Sequence, residues 1–111
     1  MGRFYKETGI WKTPVGECKN GLIYRGTGFS SRSIGEYKGD RIYRGTGFSS
    51  RLAGQVRGNR IYDGTGMLSD VVGEYKNGII YKGTGFFQKP IGAADDIFGA
   101  AALLLLQWEL I

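Results

Sequence analysis

The side chains with the most chemistry to offer recur at one fixed step. Tyr5, Tyr24, Tyr43, Tyr62 and Tyr81 stand 19 residues apart. A cation follows four of them, as Lys6, Arg25, Arg44 and Lys82, while Asp63 follows Tyr62. Arg32 and Arg51 recur in the same way after Phe29-Ser30-Ser31 and Phe48-Ser49-Ser50. Guanidinium and ammonium groups beside aromatic rings suit a polyanion. The cations would hold phosphates with salt-sensitive affinity, and Tyr24, Tyr43, Tyr62 and Tyr81 would offer stacking platforms for bases or sugars. Nucleic acid and glycan are the ligand classes these residues predict. That binding module is the alternative reading; the first expectation is a non-enzymatic structural or protein-interaction module, in which the cations keep strand edges soluble and unpaired and the tyrosines form a packing layer.

Other chemistry finds little support. The chain has no histidine and a single cysteine, Cys18, so imidazole acid–base work and a thiolate zinc cage are excluded. Glu17, Glu36 and Glu74 recur by the repeat spacing and are expected to face Arg or Lys rather than converge as a carboxylate pair. The Gly-Thr-Gly segments expose backbone N–H groups but lack the Gly-Lys-Ser/Thr ending of a phosphate loop. No catalytic residue, metal or cofactor is predicted, and the protein is expected not to be an enzyme.

With 111 residues, the chain is expected to form one domain around one modest core. Its formal charge is +5; every one of its 15 basic residues precedes Ile91, whereas three of its 10 acids follow it, so the region before Ile91 carries +8. The 20 glycines beside only 2 prolines read as punctuation between strands rather than as collagen or disorder. The unpaired Cys18 and the lack of a long apolar run in Met1–Tyr5 favour a reducing, cytoplasmic setting.

The elements that must position these residues follow from the same repeat. Thr8, Thr27, Thr46, Thr65 and Thr84 keep the 19-residue step, as do Gly16, Gly35, Gly54, Gly73 and Gly92. Within a unit, residues 34–38 and 41–44 alternate as strands around a Gly39-Asp40 break, which predicts a hairpin. Asn20-Gly21 and Asn77-Gly78 suit type I′ turns; Gly39-Asp40 and Gly58-Asn59 suit primed turns with glycine first. Alternation puts Phe4, Ile23, Ile42, Ile61 and Ile80 on the face opposite the tyrosines. The aliphatic face is expected inside, with the tyrosines half-buried. Phe4-Tyr5-Lys6 matches a second strand lacking its first, and Ile91–Ala94 a first strand lacking its second. Their pairing predicts a mainly β, pseudo-fivefold ring of short hairpins without a bare edge, residues 1–94, followed by a tail in the same domain.

That tail, residues 95–111, predicts a hydrophobic α-helix capped by Asp95 or Asp96. It is too short for a membrane span and apolar on nearly all sides. Two destinations stand open: a plug in its own ring, or self-association into a homo-oligomer through Leu103, Leu104, Leu105, Leu106 and Trp108.

The unit Gly-x-Ile-Tyr-x-Gly-x-Gly, followed by an apolar-Gly-x-Tyr/Val strand, resembles the small bacterial beta-flower proteins from about Arg3 to Ala94, and their fivefold form in particular. Glycine-turn hairpins also build propeller-like lectins, choline-binding-type solenoids and membrane-occupation repeats. The resemblance implies short hairpins radiating as petals about an axis, and it carries over no catalytic or ligand residue.

Overall fold

The computed structural model describes residues 2–7, 9, 12–64, 70–83 and 85–106, with Ser30 and Phe87 described by their backbone only. Ten antiparallel strands, β1 (Gly2–Tyr5), β2 (Pro14–Lys19), β3 (Leu22–Arg25), β4 (Arg32–Lys38), β5 (Arg41–Arg44), β6 (Arg51–Arg57), β7 (Arg60–Asp63), β8 (Asp70–Lys76), β9 (Ile79–Lys82) and β10 (Lys89–Ala94), close into a barrel. The ring shuts where expected: β1 pairs with β10 through Phe4 and Ala94 and through Tyr5 and Ala93. Arg3 fastens this seam, donating its N–H to Asp95 Oδ2 and accepting the Asp95 N–H, both at 2.9 Å. The Cα trace is a disc of 38 × 38 × 21 Å.

Turn chemistry explains the hairpins. Asn20 and Gly21 have φ of 53° and 81°, and Asn77 and Gly78 of 52° and 80°, the paired positive values of a type I′ turn. At Gly39 and Gly58 only the first turn residue is positive, φ 59° at both. Each tip also locks to the next unit. The N–H groups of Tyr37, Val56, Tyr75 and Ala94 donate to the carbonyls of Gly21, Asp40, Asn59 and Gly78. A bulge after each inward aliphatic residue, as between Ile23 and Tyr24 or Ile42 and Tyr43, adds the local bend that a narrow closed sheet needs.

The inward set is the aliphatic one. Phe4, Ile23, Ile42, Ile61 and Ile80 are fully buried, while the five tyrosines are half-buried on the outer wall. The glycine series led by Gly16 is not punctuation, because it lies within strands and faces the core. There it makes room for the plug.

The tail enters the barrel. Asp96 caps α1 (Ile97–Ala101) by accepting the Gly99 N–H at 3.1 Å. Gly99 and the alanines at 100–102 are buried, and a Cβ on Gly99 would stand 2.9 Å from Ala94 Cβ and 3.0 Å from Phe4 Cβ. Ala102–Leu106 then widens into a π-helix, and each leucine seats on one unit's glycine: Leu103 on Gly92, Leu104 on Gly73, Leu105 on Gly54 and Leu106 on Gly35. The Phe4 ring covers the fifth, Gly16. Consecutive leucines must step one fifth of a turn to meet consecutive units. An α-helix advances ~100° per residue, and the i→i+5 winding of a π-helix advances less, which accounts for the widening at this point. Of the two destinations open for the tail, the leucines take the plug. Leu103–Leu106 are at most 7 % exposed, so association through those side chains would have to withdraw them from their own ring. Trp108 lies outside the described residues.

Candidate cationic mouth of the barrel

In β3, β5, β7 and β9 the fully buried isoleucine is followed two residues later by a charge that ends the strand, and alternation aims both at the bore. Arg25 follows Ile23, Arg44 follows Ile42, Asp63 follows Ile61 and Lys82 follows Ile80. The register sets a second charge of the same sign directly across from each: Arg25 opposite Arg32, Arg44 opposite Arg51, Asp63 opposite Asp70, and Lys82 opposite Lys89. With Lys6 at the equivalent place in the first unit, seven bases and two acids ring the end of the barrel at which the plug finishes. Arg44 shows the inward direction, donating from Nη2 to the Leu105 carbonyl at 2.8 Å and from Nη1 to that of Leu106 at 3.5 Å. These are carbonyls at the C-terminal end of the plug, where a cation is favoured. Between the first arginine pair lies a half-open cavity of about 480 Å³ lined by Arg25, Arg32, Gly26 and Ile34.

The sequence-predicted cations Lys6, Arg25, Arg32, Arg44, Arg51 and Lys82 therefore share one end of the molecule. The predicted stacking residues do not join them. Tyr24, Tyr43, Tyr62 and Tyr81 precede the inward charges by one residue and occupy the opposite, outer face. Three of their rings are already covered, by Lys19 Nζ at 5.3 Å from Tyr24, by the Arg57 guanidinium at 5.0 Å from Tyr62, and by Lys76 Nζ at 5.1 Å from Tyr81. A joint Arg–Tyr cleft is not formed, because neighbours on a strand point apart.

The recurring carboxylates also belong to the outer wall, where they meet cations. Glu17 lies 3.7 Å from Arg3, Glu36 lies 4.0 Å from Lys38, and Glu74 lies 3.2 Å from Arg60 and 3.6 Å from Lys76. Glu36 also accepts the Gly47 N–H at 2.8 Å, which fixes a rim loop. Burial pushes the Cys18 thiol up to about 12, with Asp96 adding to the shift, so the sulfur stays protonated and unreactive inside the core. Among the described residues no cluster of His, Cys, Asp or Glu is placed to hold a metal.

Sequence reasoning missed two things at this end. Lys89 completes a pair that only the register reveals. The rim loops after β3, β5 and β9 also carry Phe29, Phe48 and Phe86, which stand wholly in solvent. The signal was present, since Ile10, Phe29, Phe48, Met67 and Phe86 are a further 19-residue series of apolar side chains.

A closed ring of hairpin repeats, plugged by its own tail, defines the class of protein. A family model described as a 6-fold beta flower protein matches residues 2–94, and the chain belongs to that family. Where that description counts six folds, this chain closes with five hairpins. Comparison with curated proteins and with solved structures gave no match.

Proposed function

We propose that the protein is a non-enzymatic binding module whose mouth collects phosphate-type anions. The observation that carries this reading is the facing of like charges at Arg44 and Arg51, at Lys82 and Lys89, and at Arg25 and Arg32. Like charges directly opposite one another weaken a sheet; Arg44 is in part held by the plug carbonyls, but three basic pairs against the one acidic pair of Asp63 and Asp70 leave the rim with a net positive charge. A polyanion relieves that repulsion and releases its own counterions, which makes the binding salt-dependent. The buried thiol of Cys18 fits a reducing, cytoplasmic site of action.

The test is heparin binding across a salt series, compared with the triple variant Arg32→Gln, Arg51→Gln, Lys89→Gln. Arg44 is left intact because it also holds the end of the plug. Affinity should fall steeply with log salt, and the variant should bind about tenfold or more weakly with a shallower slope. Absence of binding at low salt would instead leave a purely structural module.

A further inference from the structure

We infer that the rim is a membrane-docking surface, and that the anions it meets are the headgroups of an anionic lipid bilayer; this rests on the anion-binding reading above. Three phenylalanines are fully exposed, Phe29 at 110 %, Phe48 at 112 % and Phe86 at 103 %, whereas every aliphatic side chain at the bore-facing position of the repeat is buried. A soluble surface tolerates a scattered apolar residue, but here the apolar residues sit at the same repeat position and on the same kind of loop. Residues related by the repeat share one height along the ring axis, so they reach a flat surface together.

The loops are built to present them. Each phenylalanine sits in a 3₁₀ turn, Gly28–Ser30, Gly47–Ser49 and Gly85–Phe87, entered through a glycine with φ of 66°, 60° and 63°. The following N–H groups of Ser31, Ser50 and Gln88 close each turn onto that glycine's carbonyl. Thr27 and Thr46 adopt nearly the same backbone, with φ/ψ of −136°/158° and −133°/157°. The side chains are therefore aimed outward before any partner arrives, which lowers the ordering cost of binding.

Charge selects the occupant. The arginine and lysine pairs lie at the base of these same loops, since β3, β5 and β9 end in them and β4, β6 and β10 begin in them. Aromatic groups that enter the acyl boundary, with bases at headgroup level, are the combination by which proteins lie on anionic membranes. A second copy docked rim to rim would bring two sets of bases together and is disfavoured by the same charge. On the outer wall Glu17, Glu36 and Glu74 are paired to bases, and the large apolar side chain exposed there, Leu52, is 40 % exposed against the full exposure of the three rim phenylalanines. No helix among the described residues is long and apolar enough to cross a membrane, and docking at the rim needs none.

The test is co-sedimentation of the full chain with vesicles of phosphatidylcholine alone and of phosphatidylcholine mixed with phosphatidylserine, at low and high salt. Its variants are Phe29→Ser/Phe48→Ser/Phe86→Ser and the triple cation variant. The phenylalanine variant touches nothing inside the ring and should keep the wild-type unfolding curve and heparin binding. The expected result is binding to the mixed vesicles only, weakened by salt and reduced about tenfold or more by either variant. Heparin binding without vesicle binding overturns the membrane inference and leaves the anion reading standing. So does a phenylalanine variant that sediments like wild type. Vesicle binding that depends on the phenylalanines but ignores salt and the cation variant overturns the anion reading instead.

Discussion

Leu105 packs its side chain over Gly54 so closely that a Cβ on the glycine would stand 2.8 Å from Leu105 Cδ1, while also colliding with the Tyr62 carbonyl. Gly35 with Leu106 and Gly73 with Leu104 repeat the relationship, in each case with a Cβ at 2.7 Å from the leucine. Four leucines and Phe4 thus fill one glycine socket per unit. A short run of identical side chains serves five units because a widened helix and a fivefold ring turn at similar rates.

Gly54→Ala should therefore destabilise the fold by overpacking rather than by backbone strain, since its φ is not positive. The expected loss is about 1–3 kcal/mol. Leu105→Ala, which empties the same socket, should cost about 2–5 kcal/mol. Urea denaturation midpoints measure both. A Gly54→Ala protein as stable as wild type would show that the leucine is not seated there.

Much of this architecture was legible beforehand, because strand alternation and turn residues act over a few positions. The 19-residue register placed Phe4, Ile23, Ile42, Ile61 and Ile80 inside, and the unmatched ends foretold the pairing of β1 with β10. Asparagine and glycine at the tips specified their own φ. What stayed hidden depends on contacts far apart in the chain. An apolar tail that is greasy on every side does not say whose core it enters, and only the facing glycines in strands reveal that its leucines plug their own ring. The tyrosines looked like platforms because their covering bases come from the neighbouring strand. Pairing between Lys82 and Lys89 is set by register, which the repeat alone does not supply.

Ring closure gives a second prediction. β1 pairs with both β2 and β10, and Phe4 is fully buried, so deletion of residues 1–8 opens two edges and a hole in the core. Cooperative unfolding should be lost, where a linear array would only fray at one end. Cys18 reports the same event. In the intact ring it is 1 % exposed with its thiol raised to about 12, so a thiol reagent at neutral pH should react slowly, at the rate of opening. In the truncated chain it should react about as fast as in denaturant. Equal protection in both would mean that the N-terminal strand does not close the ring.

Glu74 gives a third. Its carboxylate accepts from Gln88 Nε2 at 2.6 Å and from Arg60 Nε at 3.2 Å. The hydrogen bond from Gln88, then Arg60 and the nearby Lys76, hold its pKa below the ordinary value despite burial. A carboxylate depressed on folding contributes stability above its unfolded pKa of about 4.3, and that contribution disappears as pH falls through the lower folded value. Glu74→Gln should accordingly melt several degrees below wild type at neutral pH, with the gap narrowing from about pH 5 downward as wild type loses the charge that the variant never had. Gln88→Leu should shrink the pH-dependent part while leaving the Arg60 contact. Melting curves across that range decide the matter, and a gap that is constant with pH would remove the charge from the explanation and leave only packing.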